Sequence, residues 1–447
     1  MAQEKDPNLM EKIINLSRNR GFVFPGSEIY GGLANSYDLG PLGTELKRNI
    51  KDLWWKTFVQ QRSDVVGIDT GVIMSTSVWK ASGHLENFND LLIECKECHS
   101  RFRADELGKD KCPQCGGNKF TEPTQFNAMF KTNLGPVESK ESTVYLRPET
   151  AQAMFVDFPE IVRSMRAKLP LGIAQIGKAF RNEITPGNFI FRLREFEQME
   201  IEYFIEPPKT KKDWDKHFDH WLKEIRRWIK LVGIDTSKVK EVDIPKDERA
   251  HYSERTVDIE FEYPFGQKEL YGLAYRTDYD LRAHQKHSGK NLAYKDLVNN
   301  QEMIPHVIEP SFGVERTMLS ILVSAYSEEK VKSAKGKEEI RVIMKFPKII
   351  APYKVAVLPL SDKPELTKIA QKITENLQER FVTDYDVTQS IGKRYRRQDE
   401  IGTPYCVTVD FDSIEDSQVT VRDRDTMRQE RIAIVELGEY LEKALQA

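Results

Sequence analysis

Four segments in which apolar and polar residues alternate constrain the fold of this chain more than any other feature. Alternation with a period of two places successive side chains on opposite faces of a strand, which is typical of an antiparallel sheet with one face in the core. The segments are GIAQIGKAF (172–180), FEQMEIEYF (196–204), TVDIEFEY (256–263) and KELYGLAY (268–275). They predict a large antiparallel sheet and a main domain of the α+β class.

Two further segments have apolar residues at helical spacing, as expected of helices that cover such a sheet. The first covers 42–59, after the breaker-rich YDLGPLG, and is followed by the strand-like VVGIDTGVIM. The second covers about 213–232, and we interpret its stripe of tryptophans and aliphatic residues as core packing. By contrast, SEEKVKSAKGKEE (327–339) is charged and poor in large apolar residues, and predicts a surface loop or linker.

A second domain is expected after a boundary near Pro352. Strand-like YKVAVLPL, YDVTQS, PYCVTVDF, SQVTVRDRD and QERIAIVEL alternate there with helices predicted over 366–381, from about Arg394, and at the C-terminus. Such alternation predicts a compact α/β domain of about 95 residues. Cys406, inside PYCVTVDF, is expected to be a buried strand residue.

Length and charge bound what the chain can be. Its 447 residues predict two to four domains, and 67 basic against 70 acidic residues leave no overall basic field for binding nucleic acid. No run approaches 18 apolar residues, and the first twelve residues are charged and lack the apolar core of a signal peptide. We therefore expect a cytoplasmic protein without a membrane partner.

Four of the five cysteines are clustered in the pattern expected of a metal site. Two Cys-x-x-Cys pairs, separated by thirteen residues, supply four soft thiolates that suit a tetrahedral ion. Because four thiolates leave no open position for water, the site predicts structural rather than catalytic zinc. His99 could replace one ligand, and reduced bystander cysteines are the alternative. The expected ligands are Cys95, Cys98, Cys112 and Cys115.

Two segments combine arginines, carboxylates and an aromatic residue in an order that suits anion binding. In IGKAFRNEITPGNFIFRLREFEQMEIEYF, two strand-like runs joined by a loop bring Arg181, Glu183, Arg192, Phe196 and Glu200 onto one surface. An arginine there can form a bidentate pair with phosphate or carboxylate, and a phenylalanine can stack on a base. By spacing alone, a solvated hairpin with surface ion pairs is the favoured alternative. In the second segment, IEPSFGVERTML, Glu309 and Ser311 precede Gly313 and Arg316 at the start of an apolar helix.

Together these segments resemble class II aminoacyl-tRNA synthetases. FRNE followed by Arg192-x-x-x-Phe196 resembles their motif 2, GVER before an apolar helix resembles motif 3, and the helix over 42–59 lies where motif 1 belongs. SYDLGPLG, LRPETAQ, FRNEITP, EFEQMEIEYF and IEPSFG are similar to glycyl-tRNA synthetases of the homodimeric type. The resemblance extends from about Gly21 to the C-terminus.

The resemblance implies an α+β fold: a class II catalytic domain built on an antiparallel sheet with flanking helices, and a C-terminal α/β anticodon-binding domain. The catalytic domain is expected over 1–345, with a zinc-binding insertion at 93–120 and a helical insertion at 206–255. The anticodon-binding domain is expected over 350–447.

The resemblance also implies an activity: an ATP-dependent ligase that activates glycine as glycyl-adenylate and transfers it to the 3′ end of tRNA(Gly). ATP with Mg²⁺, structural Zn²⁺, tRNA(Gly), glycine and a second copy of the chain are then the expected cofactors and partners. Arg181 and Arg316 are expected to be catalytic. The expected ATP-binding residues are Arg181, Glu183, Arg192, Phe196, Glu269 and Arg316. The expected glycine-binding residues are Glu149, Glu200, Glu309, Ser311 and Arg276.

The C-terminal segment GKRYRRQDEIGTP is the clearest match to an anticodon-binding domain. From residue 351 onward there are 18 acidic and 14 basic residues, so contact with RNA must be local. The basic run with an aromatic residue inside it predicts phosphate contact and base stacking, and a solvated helix start is the alternative. Its expected tRNA-binding residues are Lys393, Arg394, Arg396 and Arg397.

Two other functions stay open from the sequence. One is a non-catalytic relative, such as a nucleic-acid-binding or polymerase accessory subunit, which would be free to lose Arg181, Glu183 and Arg316. The other is a synthetase for another amino acid, which LRPETAQ and IEPSFG disfavour.

Overall fold

A computed structural model describes residues 6–104, 107, 111–139, 141–296, 298–332, 336 and 338–446. Its α-helices are α1 Leu9–Arg20, α2 Pro41–Trp55, α3 Thr76–Ala81, α4 His84–Asn87, α5 Ala151–Val156, α6 Phe158–Met165, α7 Lys211–Leu231, α8 Tyr279–Ser288, α9 Val314–Ala325, α10 Pro364–Gln378, α11 Ile391–Ile401, α12 Asp412–Asp416 and α13 Leu437–Gln446. No helix in these ranges is long and apolar enough to cross a bilayer.

The strands of the first part of the chain are β1 Val23–Pro25, β2 Tyr37–Leu39, β3 Val65–Gly67, β4 Ile73–Met74, β5 Asn89–Glu94, β6 Arg101–Arg103, β7 Thr124–Asn127, β8 Lys131–Asn133, β9 Thr143–Leu146, β10 Leu171–Phe180, β11 Glu195–Ile205 and β12 Val239–Asp243. The later strands are β13 Arg255–Tyr263, β14 Gly266–Thr277, β15 Tyr294–Asp296, β16 Gln301–Met303, β17 His306–Gly313, β18 Tyr326–Lys332, β19 Glu338–Met344, β20 Val355–Pro359, β21 Thr383–Tyr385, β22 Tyr405–Val409, β23 Gln418–Asp423 and β24 Gln429–Ala433.

The four alternating segments form the centre of a seven-stranded sheet, as predicted. The strand order is β12-β13-β14-β17-β11-β10-β3, and every pairing is antiparallel except that of β10 with β3. Strand β17, which the alternation did not single out, lies between β14 and β11. The sheet therefore brings the IEPSFG segment between the two others that carry polar site residues.

Helices α2, α7 and α9 contribute to the main core against this sheet. The stripe predicted on the second helix is buried along its whole length, and Trp228 also donates a hydrogen bond from Nε1 to the Tyr271 hydroxyl at 3.2 Å. Each large apolar side chain buried in this way contributes roughly 1.5–3 kcal/mol to folding. The helix begins with a reciprocal capping box between Thr210 and Asp213. Both long helices are thus confirmed, and α2 continues into one π-helical turn, Lys56–Gln60.

Two local predictions were wrong. The charged segment 327–339 is not a loop, because most of it lies in the antiparallel pair β18 and β19. The hairpin is half-exposed, so its strands need few large apolar residues. The alternation of apolar and polar residues that predicts strands is therefore absent from this segment. The strand predicted over VVGIDTGVIM is divided into β3 and β4, which belong to different sheets.

The last hundred residues form a second sheet with its own core. Its order is β21-β20-β22-β23-β24, with β20 parallel to both neighbours and the rest antiparallel. Residues of α10 and α13 pack into this core. The predicted alternation of strands and helices is confirmed, and Cys406 is buried on β22, as expected.

Candidate active site

One cavity of about 490 Å³ opens over the seven-stranded sheet. Of the eleven residues expected to bind ATP or glycine, ten line it, and Arg276 is the exception. The ten are Glu149, Arg181, Glu183, Arg192, Phe196, Glu200, Glu269, Glu309, Ser311 and Arg316.

Strand register explains why residues so distant in sequence meet. Glu200 on β11 lies opposite Ser311 on β17, and Ser311 lies opposite Gly272 on β14. Residues paired in this way point to the same face of the sheet. Along β17, Glu309 and Ser311 come before Arg316, which lies in the first turn of the following helix, so acidic and basic groups occupy successive parts of one cavity.

Arg181 is the first residue after β10, at the start of the loop that joins β10 to β11. Its backbone N–H bonds to the Arg194 carbonyl at 2.9 Å, which closes the hairpin, and its Nε donates to the Pro148 carbonyl at 3.0 Å. The guanidinium carbon lies 5.3 Å from the Phe196 ring centre and 5.4 Å from that of Phe88. Two aromatic rings and one carbonyl thus orient a cation that borders the cavity.

Arg316, in the first turn of α9, faces Glu269. Its Nη1 lies 3.0 Å from the Glu269 carboxylate and 3.2 Å from the same residue's carbonyl oxygen, and its guanidinium lies 4.6 Å from the Phe191 ring centre. The positive charge of Arg316 lowers the pKa of Glu269 below its ordinary value. Glu269 is therefore ionised near neutral pH and available as an oxygen ligand for a hard cation.

The acidic part of the cavity contains three buried carboxyl groups, Glu149, Glu200 and Glu309. Burial alone would raise the pKa of Glu149, but His84 Nε2 at 3.3 Å and the charge of Arg276 lower it below the ordinary value. Burial raises the pKa of Glu309 to about 8, although Arg276 opposes the shift. Burial and the nearby Glu149 also raise the pKa of Glu200, whose carboxylate accepts a hydrogen bond from the Thr150 hydroxyl.

Arg276 lies behind this cluster instead of lining the cavity. It is fully buried, donates to both Asp280 oxygens at 2.8 and 2.9 Å, and reaches both Glu309 oxygens from Nη1 at 3.0 and 3.1 Å. The Tyr252 ring centre lies 3.8 Å from its guanidinium carbon. Arg276 therefore holds Glu309 in place, and its donors are already used by protein groups.

Two acidic residues near this site were not predicted from the sequence. Glu202, two residues after Glu200 on the same face of β11, is fully buried, and neither of its carboxyl oxygens has a hydrogen-bond partner within the described residues. Burial and Glu309 raise its pKa well above the ordinary value, which favours its protonated form. Asp258 also borders the cavity, and burial together with Glu269 raises its pKa to about 7. The alternation EIE in FEQMEIEYF was the available signal for Glu202.

The four clustered cysteines converge as their spacing predicts. The Sγ atoms of Cys95 and Cys115 are 3.6 Å apart, those of Cys98 and Cys112 are 3.5 Å apart, and all four lie within 4.8 Å of one another. Sulfurs around a tetrahedral Zn²⁺ with bonds of about 2.3 Å would be separated by roughly 3.8 Å, so this donor set fits a metal ion. His99 is directed to the Glu94 carboxylate instead, with Nδ1 2.9 Å from it.

The basic run on α11 is divided between surface and interior. Lys393 is exposed, and the Arg396 side chain, about a third exposed, lies 3.7 Å from the Asp399 carboxylate. Arg394 is buried and donates to the Pro359, Leu360 and Asp386 carbonyls at 2.6, 3.2 and 2.8 Å.

The other two residues of the run are also engaged with the protein. Arg397 pairs with the Asp386 carboxylate and donates to the Thr388 carbonyl at 2.7 Å. The Tyr395 hydroxyl contacts Thr408 Oγ1 at 2.6 Å. The expected base-stacking ring and two of the four cations are thus engaged inside the fold.

Comparison with known proteins agrees with this architecture. The family model described as tRNA synthetase class II core domain (G, H, P, S and T) matches residues 130–325, and that described as Anticodon binding domain matches residues 354–444. These matches confirm the predicted fold class.

Curated relatives match nearly the whole chain. The glycine--tRNA ligase of Caldanaerobacter subterraneus subsp. tengcongensis is 51% identical over 98% of this chain and 98% of its own length. That of Geobacillus thermodenitrificans is 50% identical over 98% of this chain and 97% of its own length, and that of Acetivibrio thermocellus is 51% identical over 97% and 98%. The resemblance noted in the sequence is confirmed: the chain belongs to the glycine--tRNA ligase family of class II aminoacyl-tRNA synthetases.

Proposed function

We propose that this chain activates glycine with ATP to form glycyl-adenylate and then transfers the glycyl group to the 3′ end of tRNA(Gly). The polarity of the cavity is the observation that supports this most directly. Arginines and a phenylalanine that suit a nucleotide, and buried carboxyl groups that suit an ammonium ion, border one continuous space of about 490 Å³. An amino acid and ATP can therefore meet over the sheet.

In the first step, a glycine carboxylate oxygen attacks the α-phosphorus of ATP, and the bond to the pyrophosphate oxygen breaks. Both reactants are anionic, so the protein must hold them together against repulsion and stabilise the charge that grows on the phosphoryl oxygens. We assign this role to Arg181, because its guanidinium is already oriented by Pro148 and the two rings. Catalysis then rests on positioning and electrostatics, without a covalent enzyme intermediate.

The nucleotide contacts follow from the same geometry. We assign Phe196 to stacking on the adenine, Glu183 to its amino group, and Arg192 and Arg316 to the outer phosphates. Mg²⁺, when bound with ATP, would neutralise phosphate charge, and Glu269 is the candidate protein ligand for it. Arg316 contacts Glu269 in the structure, so the cation that would bind phosphate and the carboxylate that would bind Mg²⁺ already orient each other.

On the acidic side, we assign Glu149, Glu200 and Glu309 to the glycine ammonium group and Ser311 to the wall that meets its α-carbon. Arg276 contributes indirectly, because it fixes both oxygens of Glu309. A site closed in this way rejects alanine by steric overlap with rigid groups. We accordingly propose that the protein needs no hydrolytic editing step.

In the second step, the terminal ribose hydroxyl of the tRNA attacks the glycyl carbonyl carbon, and AMP leaves. We propose the 3′-hydroxyl as the nucleophile, as the class II resemblance implies. On α11, Lys393 and Arg396 are proposed to contact tRNA phosphates. Arg394 and Arg397 are proposed to hold the helix start in place, because their donors are bound by carbonyls and by Asp386.

We propose that the four cysteines hold one structural Zn²⁺. The support is the agreement between their Sγ separations and a tetrahedral thiolate set. Backbone hydrogen bonds close the two turns that carry the cysteines. His99 N donates to the Cys95 carbonyl at 2.8 Å, and Gly116 N donates to the Cys112 carbonyl at 2.9 Å. The metal would fasten these two turns to each other.

We also propose that the protein acts as a homodimer in the cytoplasm. Three large apolar side chains near the start of the chain, Ile29, Tyr30 and Leu33, are 87%, 86% and 64% exposed, which is compatible with cover by a second copy. Light scattering on the purified protein would give its mass, and a value near one chain of 51.8 kDa would reject the dimer.

The proposed activity is tested by exchange of labelled pyrophosphate into ATP. Wild-type protein should catalyse exchange that depends on glycine, and alanine or serine at the same concentration should support far less, because their side chains would overlap the rigid groups around the glycine α-carbon. Faster exchange with another amino acid would reassign the substrate. No exchange with any amino acid, together with binding of tRNA, would favour the non-catalytic alternative.

A further inference from the structure

A cluster of buried charges lies where the hairpin β18–β19 meets α11. Asp399, on the inner face of α11, is fully buried and accepts a hydrogen bond at 2.7 Å from Nε of Arg341 on β19. Its two oxygens also accept bonds from Arg422 on β23 at 2.9 and 3.2 Å. Arg341 and Arg422, themselves buried, thus approach one carboxylate from different sheets.

Arg341, in the first part of the chain (before strand β20), makes two bonds to the second part, which begins with β20, and one bond within its own hairpin. Besides Asp399, its guanidinium reaches Glu329 on β18 at 2.9 Å and the Arg424 carbonyl at 2.5 Å. Arg424 returns the contact, since it donates to the Phe346 carbonyl, which belongs to the first part of the chain, at 2.8 Å. Such buried ion pairs hold a fixed geometry because each charge left without a partner would be strongly destabilising.

The backbone at the end of α11 approaches the same region closely. Gly402 has a left-handed φ of +79°, and a Cβ there would lie 2.4 Å from the Phe346 ring and 2.8 Å from the Met344 carbonyl. On the neighbouring side, the α11 residue Glu400 pairs with Arg20 at the end of α1. Helix α11 is therefore attached to the first part of the chain along its C-terminal half.

The hairpin connects this attachment to the nucleotide site. Strand β18 begins at Tyr326, directly after the last residue of α9, and Lys345 N bonds back to the Ala325 carbonyl at 2.8 Å. Arg316 lies in the first turn of the same helix. At a rise of about 1.5 Å per residue, α9 spans roughly 18 Å between its start near Arg316 and the hairpin. One continuous unit thus joins the candidate phosphate-binding arginine to the helix whose exposed start carries Lys393 and Arg396.

We propose that Arg341 and Asp399 are positioning residues for tRNA charging: their contact fixes α11 at a set distance and angle from the cavity, so that a tRNA held at α11 delivers its 3′ end there. The proposal rests on the proposed function, in that α11 must contact tRNA. The contact raises the effective concentration of the tRNA end at the cavity and plays no part in glycine activation.

The test uses full-length protein with Arg341→Met and, as matched control, Arg422→Met. Each variant removes one buried arginine from Asp399, but only the first removes bonds that join the two parts. Charging of full-length tRNA by Arg341→Met should fall about tenfold in kcat/KM, against less than about threefold for Arg422→Met. Glycine-dependent pyrophosphate exchange should stay within about twofold of wild type in both.

Equal losses of charging in the two variants would show that the cluster only supports the fold, and unchanged charging in Arg341→Met would also overturn the proposal. A parallel loss of exchange would mean that Arg341 acts on the cavity itself, which contradicts a role confined to tRNA. If Arg341→Met does not fold, Arg341→Gln serves instead, because its shorter, uncharged side chain removes the ion pair with Asp399 and the bonds to Glu329 and Arg424. Unchanged charging by that variant would likewise contradict the proposal.

A combined variant separates positioning from general stability. If Arg341 acts through α11, replacing it should have less effect on charging once Lys393 and Arg396 are already alanine, whereas independent effects would multiply. Independent effects would overturn the proposal. Failure of the proposed function has a different signature, because wild-type exchange would then not depend on glycine.

Discussion

The cavity over the large sheet and the basic run on α11 look alike in sequence, since each combines several arginines with an aromatic residue, yet their charges are used differently. In the cavity, Arg181 keeps part of its guanidinium directed toward open space, because one carbonyl and two rings hold the rest. On α11, Arg394 is surrounded by three carbonyls. A run of cations therefore predicts a ligand only when the fold leaves donors unused.

The difference arises from secondary structure. Paired strands direct side chains of equal register to one face, so residues from three strands can border a single space. A helix distributes consecutive residues around its axis, so four cations in five positions must point in different directions. Lys393 and Arg394, adjacent in sequence, accordingly lie in water and in the interior.

The largest expected effect is the loss of glycine activation in Arg181→Ala. Removing a charge-assisted interaction made mainly in the transition state should lower exchange by about 100-fold to 1,000-fold. Pyrophosphate exchange measures this, and circular dichroism checks that the fold is kept. Activity above about a tenth of wild type would refute the role assigned to Arg181.

A second test concerns the acidic part of the cavity. Glu200→Ala should raise the KM for glycine by about tenfold to 100-fold and change the KM for ATP by less than about threefold, because the removed carboxylate is assigned to the glycine ammonium group and to no part of ATP. Substrate titrations in the exchange assay give both constants. Equal changes in the two constants would contradict separate glycine and nucleotide sites.

Metal binding provides the third test. Cys112→Ser should lose the single equivalent of zinc expected in wild-type protein, with local disorder between about Glu94 and Thr121, because three thiolates cannot complete a closed tetrahedral site. Metal analysis after dialysis under reducing conditions, without chelator, measures the stoichiometry. A value near zero in wild-type protein would reject the site.

The fourth test compares the exposed with the buried basic residues of α11. Lys393→Ala with Arg396→Ala should weaken tRNA binding and lower the slope of log K against log salt by roughly 0.7 to 0.9 for each phosphate interaction that is removed, with little change in melting temperature. Arg394→Ala should instead lower the melting temperature, because it leaves buried carbonyls unpaired. The reverse pattern would place Arg394 on the RNA surface.

The smallest expected effect is on pH dependence. Since burial raises the pKa of Glu309 to about 8, its proton favours the folded apo state below about pH 4.5, and that stability is lost as pH rises toward 8. The proposed contact with the glycine ammonium group favours the ionised carboxylate. The KM for glycine should therefore fall as pH rises from about 7 to 8.5, by about tenfold at most, and Glu309→Gln should flatten the dependence.

How much the sequence predicts depends on the range of the signal. Cys95 and Cys98, three positions apart in a tight turn, predict the clustering of the cysteines directly, and the alternation in FEQMEIEYF predicts β11. The hairpin β18–β19 was missed because its half-exposed strands carry charges where the pattern requires apolar residues. The burial of Arg394 and the position of Arg276 behind Glu309 depend on which strand ends lie nearby, and local composition does not encode that.

If one cavity holds glycine in its acidic part and ATP at its arginines, a non-hydrolysable glycyl-sulfamoyl-adenosine should occupy both parts at once, since it joins the two halves in one molecule. Its Kd should be measured with wild-type protein, Arg181→Ala and Glu200→Ala. It should bind wild-type protein more tightly than glycine or ATP does and compete with both, and both substitutions should weaken its binding. Binding that competes with only one substrate, or that either substitution leaves unchanged, would contradict a shared cavity.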